Sequence, residues 1–294
     1  MERRLDLAGS SMQDIKRRVK SVTNIEHITN AMKLVSASKL RRAKVTFEKT
    51  GEYFHFVTES IEDIFNNSAD IPVKYLEGNR EIKTTCYIVV TSNRGLCGSF
   101  NSNVIKQAEA EIKADPEAPV IVAVGSKGRD YFLKRGYDIC GEYMLPPENI
   151  AFIETHDVSS PIIEQYVEGK IDEVMMIYTS FVSTLEQRVK TVRLLPFDIK
   201  RDPEVTPLEK QVEYEPSIED VFNYLVPKYV EIMIYSAIVE SATCEHAARR
   251  MAMENATDNA NNMIADLTLF YNRARQAAIT SEITEIVSGA DALK

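Results

Sequence analysis

The residue types that carry chemistry in most proteins are sparse and badly spaced in this sequence. Only four histidines occur (His27, His55, His156, His246), and none belongs to an HExxH pair or to a metal-binding spacing. A GxSxG elbow is absent, and Cys97 has no nearby histidine that could take its proton. The cysteines (Cys86, Cys97, Cys140, Cys244) form no CxxC pair and read as free thiols of a reducing cytosol. One stretch sits where nucleotide folds hold a phosphate: Thr91-Ser-Asn-Arg-Gly-Leu-Cys-Gly-Ser99 follows an apolar run and precedes a helical one. It lacks the Lys and Ser/Thr of a P-loop and the spacing of G-x-G-x-x-G, and Gly125-Ser-Lys-Gly128 is equally short of a motif. Turn chemistry at tight strand-to-helix junctions accounts for both. No catalytic, cofactor-binding or metal-binding residue is assigned, and the chain reads as non-enzymatic.

Charge says more. Residues 12–49 carry ten Lys or Arg against Asp14, Glu26 and Glu48, a balance of +7. The whole chain is at −9, so the remainder stands at −16. Such a bias asks for an acidic partner, inside the molecule or outside it. Nucleic acid is one alternative, with Arg41-Arg42-Ala-Lys44 tracking phosphates, but residues 12–46 hold no aromatic side chain for base stacking. A second polar cluster, Arg273, Arg275, Gln276, Thr280, Glu282 and Glu285, crowds the last helical stretch. It suits a helix sliding inside a close-fitting protein sleeve, or an ordinary solvated helix end.

The elements behind these residues are unequal in length. From Ile218 to Ala277 a register of alternating three- and four-residue steps runs through eighteen positions, fifteen of them apolar. That is a helix facing a partner helix along its length. A helix over 217–289 would be roughly 110 Å long, far more than a globular domain needs. Ser217 with Asp220 marks its start, and Pro227 should kink or restart it. Lys228, His246 and Arg249 break the seam. Residues 12–66 predict a second long helix, with Met12, Ile15, Val19 and Val22 followed by a three-residue slip to Ile25, Ile28, Met32 and Val35, a local stammer.

Between the two helices the pattern changes type. Thr84–Ser92, Ala118–Ser126 and Asp172–Phe181 are apolar and β-branched, as strands buried on both faces are, and Gln187–Phe197 alternates. Helical stretches near Ser102–Ala114, Arg129–Arg135 and Ser159–Glu168 separate them. Residues 80–200 therefore read as an inserted Rossmann-like α/β domain with a mostly parallel sheet. The fold class is mixed: a long antiparallel two-helix coiled coil, formed by the terminal segments, carrying that insert. Prolines 203, 207 and 216 mark a linker. Residues 1–11 read as a flexible extension or as a misplaced start, with Met12 as the alternative initiator. The sequence has no secretory signal and no apolar run of the 18 or so residues that span a bilayer.

Several segments together resemble the gamma subunit of rotary, F-type ATP synthase. They are Asp14-Ile-Lys-Arg-Arg-Val-Lys-Ser-Val22, Ala31-Met-Lys-Leu-Val-Ser-Ala-Ser-Lys-Leu-Arg-Arg-Ala43, Thr91–Gly98, Ala256-Thr-Asp-Asn259, Tyr271–Ala277 and Ile279–Ala290. The resemblance covers about residues 12–292. It implies a central-stalk rotor that transmits torque between a membrane c ring and a hexamer of alpha and beta subunits. Proton or sodium flow would thereby be coupled to ATP synthesis. It further implies an epsilon-subunit partner, no cofactor, and a peripheral place on the cytoplasmic face of the cell membrane. Met32, Lys33, Arg275, Gln276, Thr280 and Glu282 match positions that contact beta or hold coupling geometry. Arg249 and Thr257 match positions supporting the helix pair, and Tyr214 matches the region touching the c ring and epsilon. The extra Cys-bearing segment of chloroplast members is lacking, so thiol control of rotation is not expected.

Overall fold

The computed structural model describes residues 12–67, 75, 81–114, 118–144, 150–197, 215 and 217–291. Ten elements follow in order: α1 (Met12–Asn67), β1 (Thr84–Val90), α2 (Phe100–Ala114), β2 (Ala118–Val124), α3 (Ser126–Leu133), β3 (Ile139–Tyr143), α4 (Phe152–Val167), β4 (Glu173–Phe181), β5 (Gln187–Leu195) and α5 (Ile218–Asp291). The chain forms two compact units, one from residues 36–249 and one from the described parts of 1–35 and 250–294. Residues 1–11, Tyr214 and most of the expected linker lie outside the described residues.

In the larger unit the sheet order is β3-β2-β1-β4-β5. The first four strands are parallel and β5 runs antiparallel to β4. β1 and β4 read as continuous apolar runs because both of their faces are covered. Cys86, Ile88, Val90, Val174 and Met176 pack with α4, α5 and the adjoining part of α1. Tyr87, Val89, Ile121 and Ile177 pack with α2 and α3 on the opposite face. Within the sheet, buried Glu173 pairs with Arg193 at 2.8 Å and accepts the Thr85 hydroxyl at 3.3 Å.

Two elements differ from the sequence expectation. β3 was not anticipated: Ile-Cys-Gly-Glu-Tyr is a short edge strand whose pattern is broken by Gly141 and by a register shift opposite Ile121/Val122. Edge strands need little apolar periodicity, so the signal is weak. Helix α4 starts at Phe152, seven residues before the expected Ser159, and carries Pro161 in its interior. Its start is fixed by Glu154, whose Oε2 accepts the Ala151 amide at 2.7 Å.

α5 opens as expected, with the Asp220 amide donating to Ser217 Oγ at 3.1 Å. It runs through Pro227 without a restart. Proline removes one backbone donor, and here Phe222, Val226 and Val230 anchor the turns on either side of it in the core. From Phe222 to Arg249 buried positions occur on most faces of α5, because the sheet, α4 and α1 surround it.

In the smaller unit the two helices pair antiparallel, and the seam is phased differently from the sequence reading. The least exposed positions of α5 there are Met253, Thr257, Ala260, Ile264, Leu267, Tyr271 and Ala274. Met263 and Phe270 face outward, at 49% and 40% exposure. On α1 the inward positions are Ile15, Val19, Val22, Glu26, Thr29 and Lys33, an unbroken heptad with no stammer. Ile25, Ile28 and Val35 are exposed, at 50%, 59% and 55%. Apolarity misled the reading because the seam uses polar residues whose hydrogen bonds are satisfied locally. The Thr29 hydroxyl donates to the Glu26 carbonyl at 3.0 Å, and Thr257 Oγ1 lies 2.9 Å from Thr29 Oγ1. A strict count of apolar side chains selects the neighbouring stripe instead.

Candidate functional site: a filled crevice and an exposed helix tip

In open α/β sheets the ligand crevice lies beyond the strand ends where the winding direction reverses. Here that point is between β1 and β4, and the loop 91–99 leads out of it. The amides that would meet a phosphate are already used. Gly128 donates its N–H to Thr91 Oγ1 at 2.9 Å, Ser126 to Asn93 Oδ1 at 3.0 Å, and Lys127 to the Ser92 carbonyl at 3.1 Å. Gly125 takes φ 96°, and a Cβ there would stand 2.2 Å from the Thr91 carbonyl oxygen, so the glycine serves a backbone close approach. Ser92 Oγ donates to the Arg94 carbonyl at 2.6 Å, and the Ser92 amide donates to Asn101 Oδ1 at 2.9 Å.

Helix α5 fills what is left. Ile238, Ser241, Ala242 and Glu245 close over Val90, Thr91 and Val124, leaving about 10 Å³, roughly one water's worth of space. Cys97 is buried in the same loop. Burial pushes its thiol above the ordinary value, against the Ser92 hydrogen bond and the nearby Arg249 charge, so it is not an activated nucleophile. Cys244, beneath it, is pushed up by burial as well. Among the described residues no group of three His, Cys, Asp or Glu could hold a metal ion. No described helix is long and apolar enough to cross a membrane.

The residues matched to partner contact lie elsewhere. Arg275, Gln276, Thr280 and Glu282 are all exposed, as is every position from Arg275 to Ala290. The tip keeps its helix by its own means: the Thr280 hydroxyl donates to the Gln276 carbonyl at 2.9 Å and Thr284 to Thr280 at 2.8 Å. Its apolar residues, Ile279, Ile283, Ile286 and Val287, are exposed, Ile279 at 48% and the others at more than half. Met32 and Lys33 on α1 are half-buried. They stand one turn from Thr29, which is paired with Thr257. Arg275 is eighteen residues beyond Thr257, about 27 Å along the helix. The fold therefore presents two separate patches rather than one.

Thr257 joins the two helices through its hydroxyl, 2.9 Å from that of Thr29. Arg249 makes a different bond. Its Nη1 pairs with Glu245 at 2.7 Å, and Nη2 donates to the carbonyls of Arg94 at 3.3 Å and Gly95 at 3.2 Å. Nothing in the residue pattern links residue 249 to a loop some 155 positions earlier. His246 is fully buried in the same turn of the helix. On α1 the basic side chains Lys16, Arg17, Arg18, Lys20, Arg41 and Arg42 are exposed. Local ion pairs tie down a few, Arg17 with Asp14 and Lys44 with Glu48, both at 3.6 Å.

Comparison with known proteins places this arrangement. A sequence model of the ATP synthase family matches residues 11–293. The ATP synthase gamma chain of Alkaliphilus metalliredigens is 48% identical over 97% of this chain and all of its own length. The gamma chain of Acetobacterium woodii, described as sodium ion specific, is 42% identical over 97% of this chain and 99% of its own. Among solved structures, a chain of the Tetrahymena thermophila mitochondrial ATP synthase central stalk and c ring superposes with a TM-score of 0.63 at 26% identity, covering 78% of this chain and 99% of that one. A chain of the Euglena gracilis mitochondrial ATP synthase shares the fold at a TM-score of 0.69 and 19% identity, over 96% and 94% of the two chains. With a filled crevice, an exposed helix tip and relatives matched from end to end, this chain belongs to the ATP synthase gamma-chain family.

Proposed function

We propose that the chain is the central-stalk rotor subunit of an F-type ATP synthase. It transmits torque between a membrane c ring and an alpha/beta catalytic hexamer, and so couples proton or sodium flow to ATP synthesis. The observation that carries this is the last stretch of α5, helical yet uncovered on every side from Arg275 to Ala290. A helix that leaves Ile279, Ile283 and Ile286 in water is stable as a folded element only if another protein covers it.

The subunit itself catalyses nothing in this reading. Its angular position biases which conformation each catalytic site of the hexamer adopts, because its contacts differ from site to site. Met32, Lys33, Arg275, Gln276, Thr280 and Glu282 meet the beta subunits, Thr257 holds the helix pair, and the basic face of α1 meets acidic loops of the hexamer. The α/β insert, with Tyr214 nearby in sequence, meets the c ring and epsilon. The protein works at the cytoplasmic face of the membrane, held there by its partners. The nucleic-acid reading of the basic helix gains nothing from the gamma-chain relatives.

The test is reconstitution. The chain should co-purify with alpha and beta subunits and make ATP-driven ion pumping depend on its presence; a hexamer that pumps equally well without it overturns the reading. Thr280→Val and Glu282→Lys should leave assembly intact and lower coupled synthesis more than hydrolysis. An unchanged ratio of the two in membrane vesicles would remove those residues from the coupling contact.

A further inference from the structure

β4 runs past its neighbour. Its last partner on β1 pairs at Ile177 with Val89, and four residues of β4 follow. The backbone groups left without a strand are taken by side chains of α5. The Phe181 amide donates to Glu240 Oε1 at 2.8 Å, and the Ser180 hydroxyl donates to the same oxygen at 2.8 Å. The Thr179 amide donates to Ser241 Oγ at 3.3 Å, and Cys244 Sγ donates to the Thr179 carbonyl at 3.5 Å. One turn further, Arg249 reaches the Arg94 and Gly95 carbonyls on the other side of the seat.

These groups lie on one half of the circumference of α5, at 100° per residue. They bond to fixed backbone atoms on both sides of the β1–β4 switch point. Apolar packing is non-directional, whereas a guanidinium forked across two carbonyls and a carboxylate fixes an angle. The loop it grips is over-determined: Leu96 sits at φ 61°, a left-handed conformation uncommon for leucine, and is 65% exposed while Cys97 beneath it is buried.

We propose that Arg249, backed by Glu245 and by the Glu240 and Ser241 bonds, is a positioning residue that keys the rotational phase of α5 to the sheet. The inference rests on the rotor reading, because phase has a consequence only if α5 carries torque. Under no load the apolar seat suffices. Under load the directional bonds stop the helix from turning in it.

The experiment uses the assembled complex in sealed vesicles, with Cys140→Ser as background so that the exposed thiol is silent. Labelling of Cys97 by a thiol reagent, located by mass spectrometry, reads the loop; ions pumped per ATP against a rising opposing gradient read the phase. Arg249→Ala should raise the Cys97 labelling rate about tenfold, as loss of a charge-assisted hydrogen bond implies. It should also abolish pumping at the steepest gradient while coupling with no gradient falls less. Arg249→Lys keeps the charge without the fork and should fall between. Unchanged Cys97 labelling, or faster labelling with a coupling ratio independent of gradient, overturns the key. A background complex that never pumps in the presence of the chain overturns the rotor reading instead.

Discussion

Helix α5 is one element held in two ways. Between Phe222 and Arg249 it is embedded, with Val230, Ile234 and Cys244 fully buried and polar bonds to β4 and to the loop after β1. Between Met253 and Ala274 it has a single seam, about one inward position per turn, and from Arg275 to Ala290 it has none. The sequence hardly changes character along the way, since the same three-and-four rhythm continues throughout. Heptad periodicity reports that a helix has a partner; it does not report how many sides are covered.

Deep substitutions should separate the two regimes most sharply. Val230→Asp places an unpaired carboxylate in a fully buried site and should cost upward of about 4 kcal/mol, abolishing the cooperative thermal transition of the larger unit. A soluble variant that melts normally would contradict the embedded description. Ile234→Ala should cost about 3 kcal/mol in chemical denaturation, and Leu267→Ala in the single seam about half that. A reversed order would show that the helix pair, not the sheet, carries the stability. Thr257→Val keeps the shape but loses the bond to Thr29, for roughly 1 kcal/mol by the same measurement.

The smallest effect is one of pH. Glu109 accepts the Tyr131 hydroxyl at 2.8 Å and the Lys113 ammonium at 3.0 Å, which hold its carboxyl below the ordinary carboxylate value. A carboxyl so lowered adds stability above its ordinary pKa and loses it as pH falls through the lowered one, hence below about pH 4. Tyr131→Phe should lower stability slightly at pH 7 and leave it nearly unchanged at the acid end, which flattens this acid limb. An unaltered acid profile would show that the contact is not maintained in solution.

Much of this architecture was legible. Apolar β-branched runs announce the buried strands, and the absence of Pro and Gly between Met12 and Gly51 announces α1. The errors have physical causes. Ile25, Ile28 and Val35 were assigned to the seam because apolarity normally marks the inside, yet in this chain they face out while Glu26, Thr29 and Ser36 face in. β3 and the start of α4 depend on tertiary context, an edge position and a carboxylate reaching back to one amide. The proposed partner-contact residues rest on family resemblance alone, since an exposed polar helix tip looks the same whether water or protein surrounds it. The Arg249 fork was invisible because its acceptors are backbone carbonyls, which every residue possesses.

The outward stripe of α1 bears on how such a chain is handled by the cell. Ile25, Ile28 and Val35, with Ile279, Ile283 and Ile286 on α5, are sticky surface before assembly. A chain made in excess of its partners would self-associate or be degraded, since exposed apolar patches recruit both fates. Balanced supply of the other subunits thus becomes a condition for its survival, set by the side chains that its own fold leaves uncovered.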